Sequence, residues 1–404
     1  MKKVLSIALG ILTSIGGFLD VGAIATAAQA GAAFGYQLIW AILLGTICVV
    51  FLVEMSGRLA AVSGHTLADA VRERFGFRFY FIQYAVEVIV DFLVLGAEIG
   101  GVCIALQLVT GIGFQVWALP VALVLWVLLW KGTFSLIENG VALLGLVTLV
   151  FVFAAVSLKP DWGAALSGSF PSLSRHDTAH YLFIAVSIIG ALISPYLFFF
   201  YSSGAVEEKW DKSYIGANRA IAVIGMGFGS LVSLGVLIAA ALVLFPKGIQ
   251  VESYDQVALT LVAPLGFLGF VLFAASLGIS CFGAAMEVSL DQAFITAQAF
   301  GWNWSETQKP AKEARFSLTY TVMIFLSALL MVAGIDPLQL TLFTMALTAT
   351  VLPIVIIPFL VLMNDEKYVG KNRNGIISNT VVILIIGLAF VLSLVAIPLE
   401  IIGG

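Results

Sequence analysis

Ser14-Ile15-Gly16-Gly17-Phe18-Leu19-Asp20-Val21-Gly22-Ala23 and Gly190-Ala191-Leu192-Ile193-Ser194-Pro195-Tyr196 are the two stretches on which the fold turns. Each interrupts a long apolar run. The first sets a carboxylate and three glycines inside it; the second sets a proline there. A proline within a helix removes one backbone donor and clashes with the preceding turn. Taken singly, each stretch reads as an ordinary kinked helix. Together they fall on the first and sixth of eleven apolar segments, at roughly 5–33, 37–56, 80–109, 114–130, 136–157, 180–205, 217–245, 264–299, 316–333, 338–363 and 376–399. The eighth is long and leaves room for a short surface helix just before it. Spans 1–5 and 6–10 form two successive sets of five. Five is odd, so the second set enters the membrane upside down relative to the first. Interruptions in matching spans of inverted halves point to a transport site lined by unwound backbone.

Composition requires the membrane. Of 404 residues, 61% are apolar and 10% charged, against about 25% charged in soluble proteins. Mean hydropathy is +1.10. No soluble core hides that much apolar surface. At ~20 apolar residues per spanning helix, the chain has room for roughly ten to twelve. We expect an all-α polytopic membrane protein with eleven transmembrane helices. Residues 1–404 then form a single transporter domain, with inverted repeats at 1–158 and 179–363 and an additional helix at 376–399. A net charge of -4 gives no reason to expect nucleic acid. Cys48, Cys103 and Cys281 lie inside apolar runs and read as small buried hydrophobes. No Cys-x-x-Cys, His-Glu-x-x-His or phosphate loop is present, so neither an enzyme nor nucleotide-driven transport is expected, and no cofactor. Nothing calls for an oligomer, and a monomer is expected. Met1-Lys2-Lys3 before an apolar run resembles the start of a signal peptide. The run continues to about Phe34, too long and too interrupted for one, and reads as a retained first helix.

The loops alternate in basic charge. One side collects Lys2, Lys3, Arg58, Arg72, Arg74, Arg78, Lys131, Lys209, Lys212, Arg219, Lys309, Lys312, Arg315, Lys367, Lys371 and Arg373; the other holds only Lys159, Arg175 and Lys247. These are all 19 of the Lys and Arg residues. Cytoplasmic loops carry the basic excess. The N-terminus is therefore expected in the cytoplasm and the C-terminus outside, with the chain in the plasma membrane.

Acidic residues mark the interior. An ionised carboxylate at the depth of Asp20 costs several kcal/mol without a partner, and no Lys or Arg lies in a span except near its ends. A bound cation or a proton is the natural partner; the alternative is a structural, protonated aspartate. Glu87, Asp91 and Glu98 fall within about 40° of one face of the third span and climb it over ~16 Å. They form either a proton or cation route, or a set paired with basic helix ends such as Arg219 or Arg315. Glu287 and Asp291, four apart in the eighth span, either line an inner vestibule or make structural hydrogen bonds. His65, His176 and His180 all lie in loops, which leaves the interior without an imidazole.

Residues 20–36, Asp-Val-Gly-Ala-Ile-Ala-Thr-Ala-Ala-Gln-Ala-Gly-Ala-Ala-Phe-Gly-Tyr, resemble the first helix of the NRAMP family of divalent metal transporters. Glu54-Met55-Ser56-Gly57-Arg58-Leu59, Ser63-Gly64-His65-Thr66-Leu67-Ala68 and Arg72-Glu73-Arg74-Phe75 are similar to its second helix and following loop. Ala97-Glu98-Ile99-Gly100 resembles its third, and Leu352-Pro353 with Ile357-Pro358 its tenth. The resemblance implies the leucine-transporter architecture, a 5+5 inverted repeat with broken helices 1 and 6. It also implies a divalent metal as substrate. The site motifs depart from the family's. Asp-Pro-Gly-Asn stands here as Asp20-Val21-Gly22-Ala23, so the asparagine ligand becomes Ala23. Met-Pro-His stands as Ser194-Pro195-Tyr196, and a second histidine falls on Tyr201. Glu98 matches a family acid. The usual aspartate one turn earlier falls on Leu95, with Asp91 a further turn away. The chain reads as a divergent, NRAMP-related branch.

The resemblance and the breaks together give a metal-binding set of Asp20, Gly22, Ala23, Ala191, Ser194 and Tyr196, with Gly17, Gly22 and Pro195 as helix-break residues. A thioether favours soft ions, and Ser194 removes the family's. One carboxylate, a hydroxyl and backbone carbonyls suit an ion that keeps part of its water, such as Mg2+ or, next, Mn2+. A preference for soft ions would need sulfur from elsewhere, Met345 or a cysteine. The alternative on the same fold is a small organic solute or anion, with Tyr196, Phe198 and Tyr201 lining its pocket.

Overall fold

The computed structural model describes residues 20–131, 143–172, 177–306 and 308–403. Gly17, Lys2, Lys3, Arg175 and His176 lie outside the described residues. Among the described residues sixteen α-helices follow in order: α1 Val21–Phe34, α2 Ile39–Ser63, α3 Leu67–Phe75, α4 Phe77–Thr110, α5 Phe114–Trp130, α6 Leu149–Ser157, α7 Trp162–Ser167, α8 Thr178–Leu192, α9 Pro195–Glu207, α10 Ile215–Val243, α11 Tyr254–Leu265, α12 Phe267–Phe300, α13 Ala314–Val332, α14 Pro337–Asn364, α15 Glu366–Val369 and α16 Ile376–Gly403. Among the described residues, eight helices are long and apolar enough to cross a membrane, and three shorter apolar ones lie at 21–34, 114–130 and 143–157. Each of the eleven overlaps a segment expected from the sequence; residues 5–19 of the first and 136–142 of the fifth lie outside the described residues. The helix expected just before the eighth span is α11.

The sixth span is two helices. α8 ends at Leu192, Ile193 leaves helical geometry (φ -119°, ψ 48°), and α9 begins at Pro195. Proline fits there because the first N–H of a helix has no intrahelical acceptor. Pro195 therefore starts a helix rather than kinking one. Gly22 is likewise not in a break: it lies in the first turn of α1, just past Asp20.

α4 and α12 form the central antiparallel pair. Their contacts run in opposite senses: Phe77 meets Phe300, Tyr84 meets Thr296, Asp91 meets Gln292, and Gly101 meets Cys281. A Cβ on Gly101 would fall 2.4 Å from Cys281 Sγ. Small residues let membrane helices approach this closely. The outer faces carry exposed Phe267, Ile376, Ile377 and Leu384, as lipid contact requires.

The loops of the basic set meet at one end. Arg58 binds Glu54 bidentately and donates to Asn374 Oδ1 at 2.8 Å. Arg219 lies 3.5 Å from Glu54, Arg74 2.9 Å from Asp365, and Lys367 3.1 Å from Glu73. The hydrogen bond from Lys367 holds the Glu73 carboxyl below the usual carboxylate range. At the other end Trp40 N donates to Gly168 O at 3.0 Å, and Gln29 Nε2 to Val251 O at 2.5 Å.

α14 crosses both breaks. A Cβ on Gly190 would lie 1.9 Å from the Met345 carbonyl oxygen, so backbone touches backbone there. Gly190→Ala should destabilise the protein by about 1–3 kcal/mol through overpacking. Gly204→Ala, with open space around its Cβ, should be neutral or stabilising. Thermal unfolding midpoints in detergent test the pair.

Candidate functional site

Two carboxylates hold the start of α1. Asp20 is its N-cap, and its Oδ1 accepts from Ala23 N at 2.7 Å. Glu98 reaches across from α4, and its two oxygens accept from Val21 N at 3.2 and 3.3 Å. Both acids are buried. The first N–H groups of a helix need outside acceptors, and the helix N-terminus carries partial positive charge. Negative side chains at this spot are thus stabilised without a basic residue.

The second break is held more loosely. Ser194 is the N-cap of α9, but its hydroxyl makes no cap hydrogen bond. It donates back to Gly190 O at 3.3 Å and to Ala191 O at 3.4 Å, both long. Tyr196, in the first turn of α9, is buried within electrostatic reach of Asp20, Glu287, Glu98 and Asp91.

Met345 closes the gap between the breaks. Its Sδ lies 2.6 Å from where a Gly22 Cβ would be, while its carbonyl abuts Gly190. Glycine at 22 is what lets the thioether reach the first turn of α1. A second sulfur, Cys281 on α12, lies against the Glu98 carboxyl. The structure therefore gathers Asp20, Gly22, Ala23, Ala191, Ser194 and Tyr196 around one locus and adds Met345, Glu98 and Cys281. Cys281 is more than a space-filling hydrophobe. Among the described residues no three His, Cys, Asp or Glu side chains converge to hold a metal ion. Any metal here relies on Asp20, a sulfur, backbone carbonyls and water.

Two residues expected near a pocket are engaged elsewhere. Tyr201 donates to Asn218 Oδ1 at 2.9 Å, and Phe198 packs on Phe359 with centroids 6.2 Å apart. The basic helix ends also turn away from the acid stripe. Arg219 faces Glu54, and Arg315 stacks over Trp302 at 5.3 Å. Pairing of Glu87, Asp91 and Glu98 with these two arginines is therefore not what holds the bundle.

The model of natural resistance-associated macrophage protein-like (Nramp) proteins matches residues 10–398. The chain belongs to the Nramp family. It is 24% identical over 367 residues to the divalent metal cation transporter MntH of Caldanaerobacter subterraneus, spanning 88% of this chain and 83% of that protein. A point variant of the manganese transporter of Eremococcus coleocola superposes with a TM-score of 0.79 at 22% identity, over 98% of this chain and 87% of that one. A nucleobase-cation-symport-1 family transporter superposes with a TM-score of 0.62 at 14% identity, over 96% of this chain and 91% of that one. Within the Nramp family this chain keeps the leucine-transporter-like fold expected from its broken spans.

Glu98 has a structural duty that a substitution can isolate. Glu98→Leu leaves the buried Val21 N–H without an acceptor, which costs about 1–3 kcal/mol. Glu98→Gln keeps an acceptor oxygen and should lose less. Unfolding midpoints of the two variants, side by side, check this; equal loss would remove Glu98 from the capping role.

Proposed function

We propose that this Nramp protein is a secondary transporter of divalent metal cations, working by alternating access, with the ion held between the two helix breaks. The observation that carries this reading is Asp20. It is a buried carboxylate at the positive end of a half-helix, with no cationic side chain to neutralise it among its hydrogen-bond partners. The naming of its relatives as metal transporters supports it. Mid-membrane acids in such positions mark ion sites.

The same geometry bears on the ion. Ser194 in place of the family's sixth-helix methionine favours a hard ion. Met345 brings a thioether to the opposite wall of the same gap. One carboxylate, backbone carbonyls and one sulfur suit Mn2+ better than Mg2+, and we assign Mn2+ as the preferred ion. An organic substrate is disfavoured because Phe198 is packed on Phe359 and the Tyr201 hydroxyl is committed to Asn218. By the positive-inside rule, the end bearing Arg58, Arg74 and Lys367 is assigned to the cytoplasm.

Uptake by purified protein in liposomes tests the reading. Asp20→Ala should abolish Mn2+ uptake while leaving a monodisperse protein; full uptake by that variant sinks it. Met345→Leu keeps volume but removes the sulfur. It should weaken Cd2+ binding roughly tenfold, or 1.4 kcal/mol, and leave Mg2+ binding unchanged. Equal effects on both ions would return the assignment to a hard ion. Imposing a pH gradient in the same assay reads proton coupling separately.

A further inference from the structure

We propose that α4 and α12 enclose a second cation site, built from oxygen alone, that takes a hard, partly hydrated divalent ion between Asp91 and Asp291. It stands on its own geometry and does not require the Asp20 reading.

Gln83, Glu87 and Asp91 are spaced four apart on α4 and share one stripe. Asp291 and Gln292 face them from α12, with Gln292 Nε2 donating to Asp91 Oδ2 at 2.6 Å. Gln83, Asp91 and Asp291 are fully buried, and Glu87 is 1% exposed. Asp91 Oδ1, both oxygens of Glu87, both oxygens of Asp291 and both amide atoms of Gln83 have no hydrogen-bond partner. Buried polar atoms are paired with protein or ordered water in about nine cases of ten. So many orphans in one place mark the position of an occupant.

Charge decides its class. Glu87 and Asp91 face Asp291 here, and the two arginines weighed as their partners, Arg219 and Arg315, lie against Glu54 and Trp302 instead. Water alone fills hydrogen bonds but supplies no countercharge, and buried unpaired charge is strongly unfavourable. One proton shared between Asp91 and Asp291 would leave the Glu87 carboxylate and the Gln83 amide without partners. A divalent ion supplies two charges at once and accepts the amide oxygen as a ligand.

The donors decide its hardness. All the orphaned acceptors are oxygens, whereas Met345 and Cys281 belong to the Asp20 locus. Carboxylate, carbonyl and water ligands select Mg2+, Ca2+ and Mn2+. Two direct carboxylates with water filling the remaining positions is how Mg2+ is usually held. Such a site needs no three acids to converge, and none do among the described residues. Asp91 is seven residues from Glu98, ~10 Å along the helix, so the two sites are separate. A cavity of about 380 Å³ lined by Gln292, Tyr84, Thr296, Trp302 and Arg315 reaches as far as Gln292, which donates to Asp91.

Equilibrium dialysis of the full-length protein in detergent against Mn2+, with Mg2+ as competitor, tests this. In Asp20→Ala, which empties the first site, one Mn2+ equivalent should remain and be displaced by Mg2+. Adding Asp91→Asn or Asp291→Asn should weaken that equivalent by roughly tenfold or more. Glu87→Gln, a milder change, should weaken it less while preserving the fold, and Mg2+ should raise the unfolding midpoint of Asp20→Ala more than that of Asp20→Ala with Glu87→Gln. The proposal is overturned if Asp20→Ala binds no Mn2+, or if its residual equivalent ignores Asp91→Asn, Asp291→Asn and Glu87→Gln alike. A wild type with only the Mg2+-displaceable equivalent supports this site and instead overturns the Asp20 reading.

Discussion

The hydrogen bonds that Asp20 and Glu98 accept from the first turn of α1 are the constraint on which the site depends. A helix that begins inside a membrane exposes N–H groups where no water can serve them. Asp20 takes the Ala23 N–H, and Glu98 takes that of Val21. One acid belongs to the broken span and the other to α4, so the pair fixes where α1 starts and ties it to the central antiparallel pair. The carboxylates in turn gain the positive end of the helix in place of a basic side chain. Each half of the arrangement makes the other tolerable.

Close packing extends that link to the second break. Met345 lies between Gly22 and Gly190, its sulfur toward one and its carbonyl toward the other. A Cβ at Gly190 would displace the backbone of α14, and one at Gly22 would displace the Met345 thioether. The two breaks are therefore coupled through one residue of a third helix. The coupling is unequal. The α1 cap is a short 2.7 Å bond, whereas Ser194 makes only bonds of 3.3 and 3.4 Å to the end of α8. The start of α9 is the less restrained side of the gap.

Much of this was legible in the sequence because membrane insertion constrains sequence so strongly. Apolar runs located all eleven spans, and the run before the eighth even announced α11. Asp20 was conspicuous because no soluble-protein logic places it there. What periodicity cannot supply is which neighbour a face meets. Met345 could be named as one possible source of sulfur, but only the packing against Gly22 places its thioether at the start of α1. Cys281 looked like a small hydrophobe until α12 was placed against Glu98. Pro195 marked the break in the sixth span, but the sequence does not say that it would be the first residue of the new helix rather than the point of interruption itself. The stripe of Glu87, Asp91 and Glu98 was visible at helical spacing, but its facing partner Asp291 lies 200 residues further along the chain.

Among the described residues, no basic side chain is a hydrogen-bond partner of Asp20, Glu98 or Asp91, and this is itself informative. A lysine or arginine beside Asp20 or Asp91 would stabilise the resting bundle, since a buried acid paired with a cation is far less costly than one left alone. It would also occupy the position permanently. Here the cationic side chains stay at the end of the molecule, where Arg58, Arg74 and Lys367 bind Glu54, Asp365 and Glu73 across loops. Neutral donors serve the interior acids instead: backbone N–H groups at Asp20 and Glu98, and the Gln292 amide at Asp91. Neutral donors lower the cost of a carboxylate without cancelling its charge. An acid kept in that state still attracts a mobile cation and releases it when the geometry changes, which a fixed ion pair does not do.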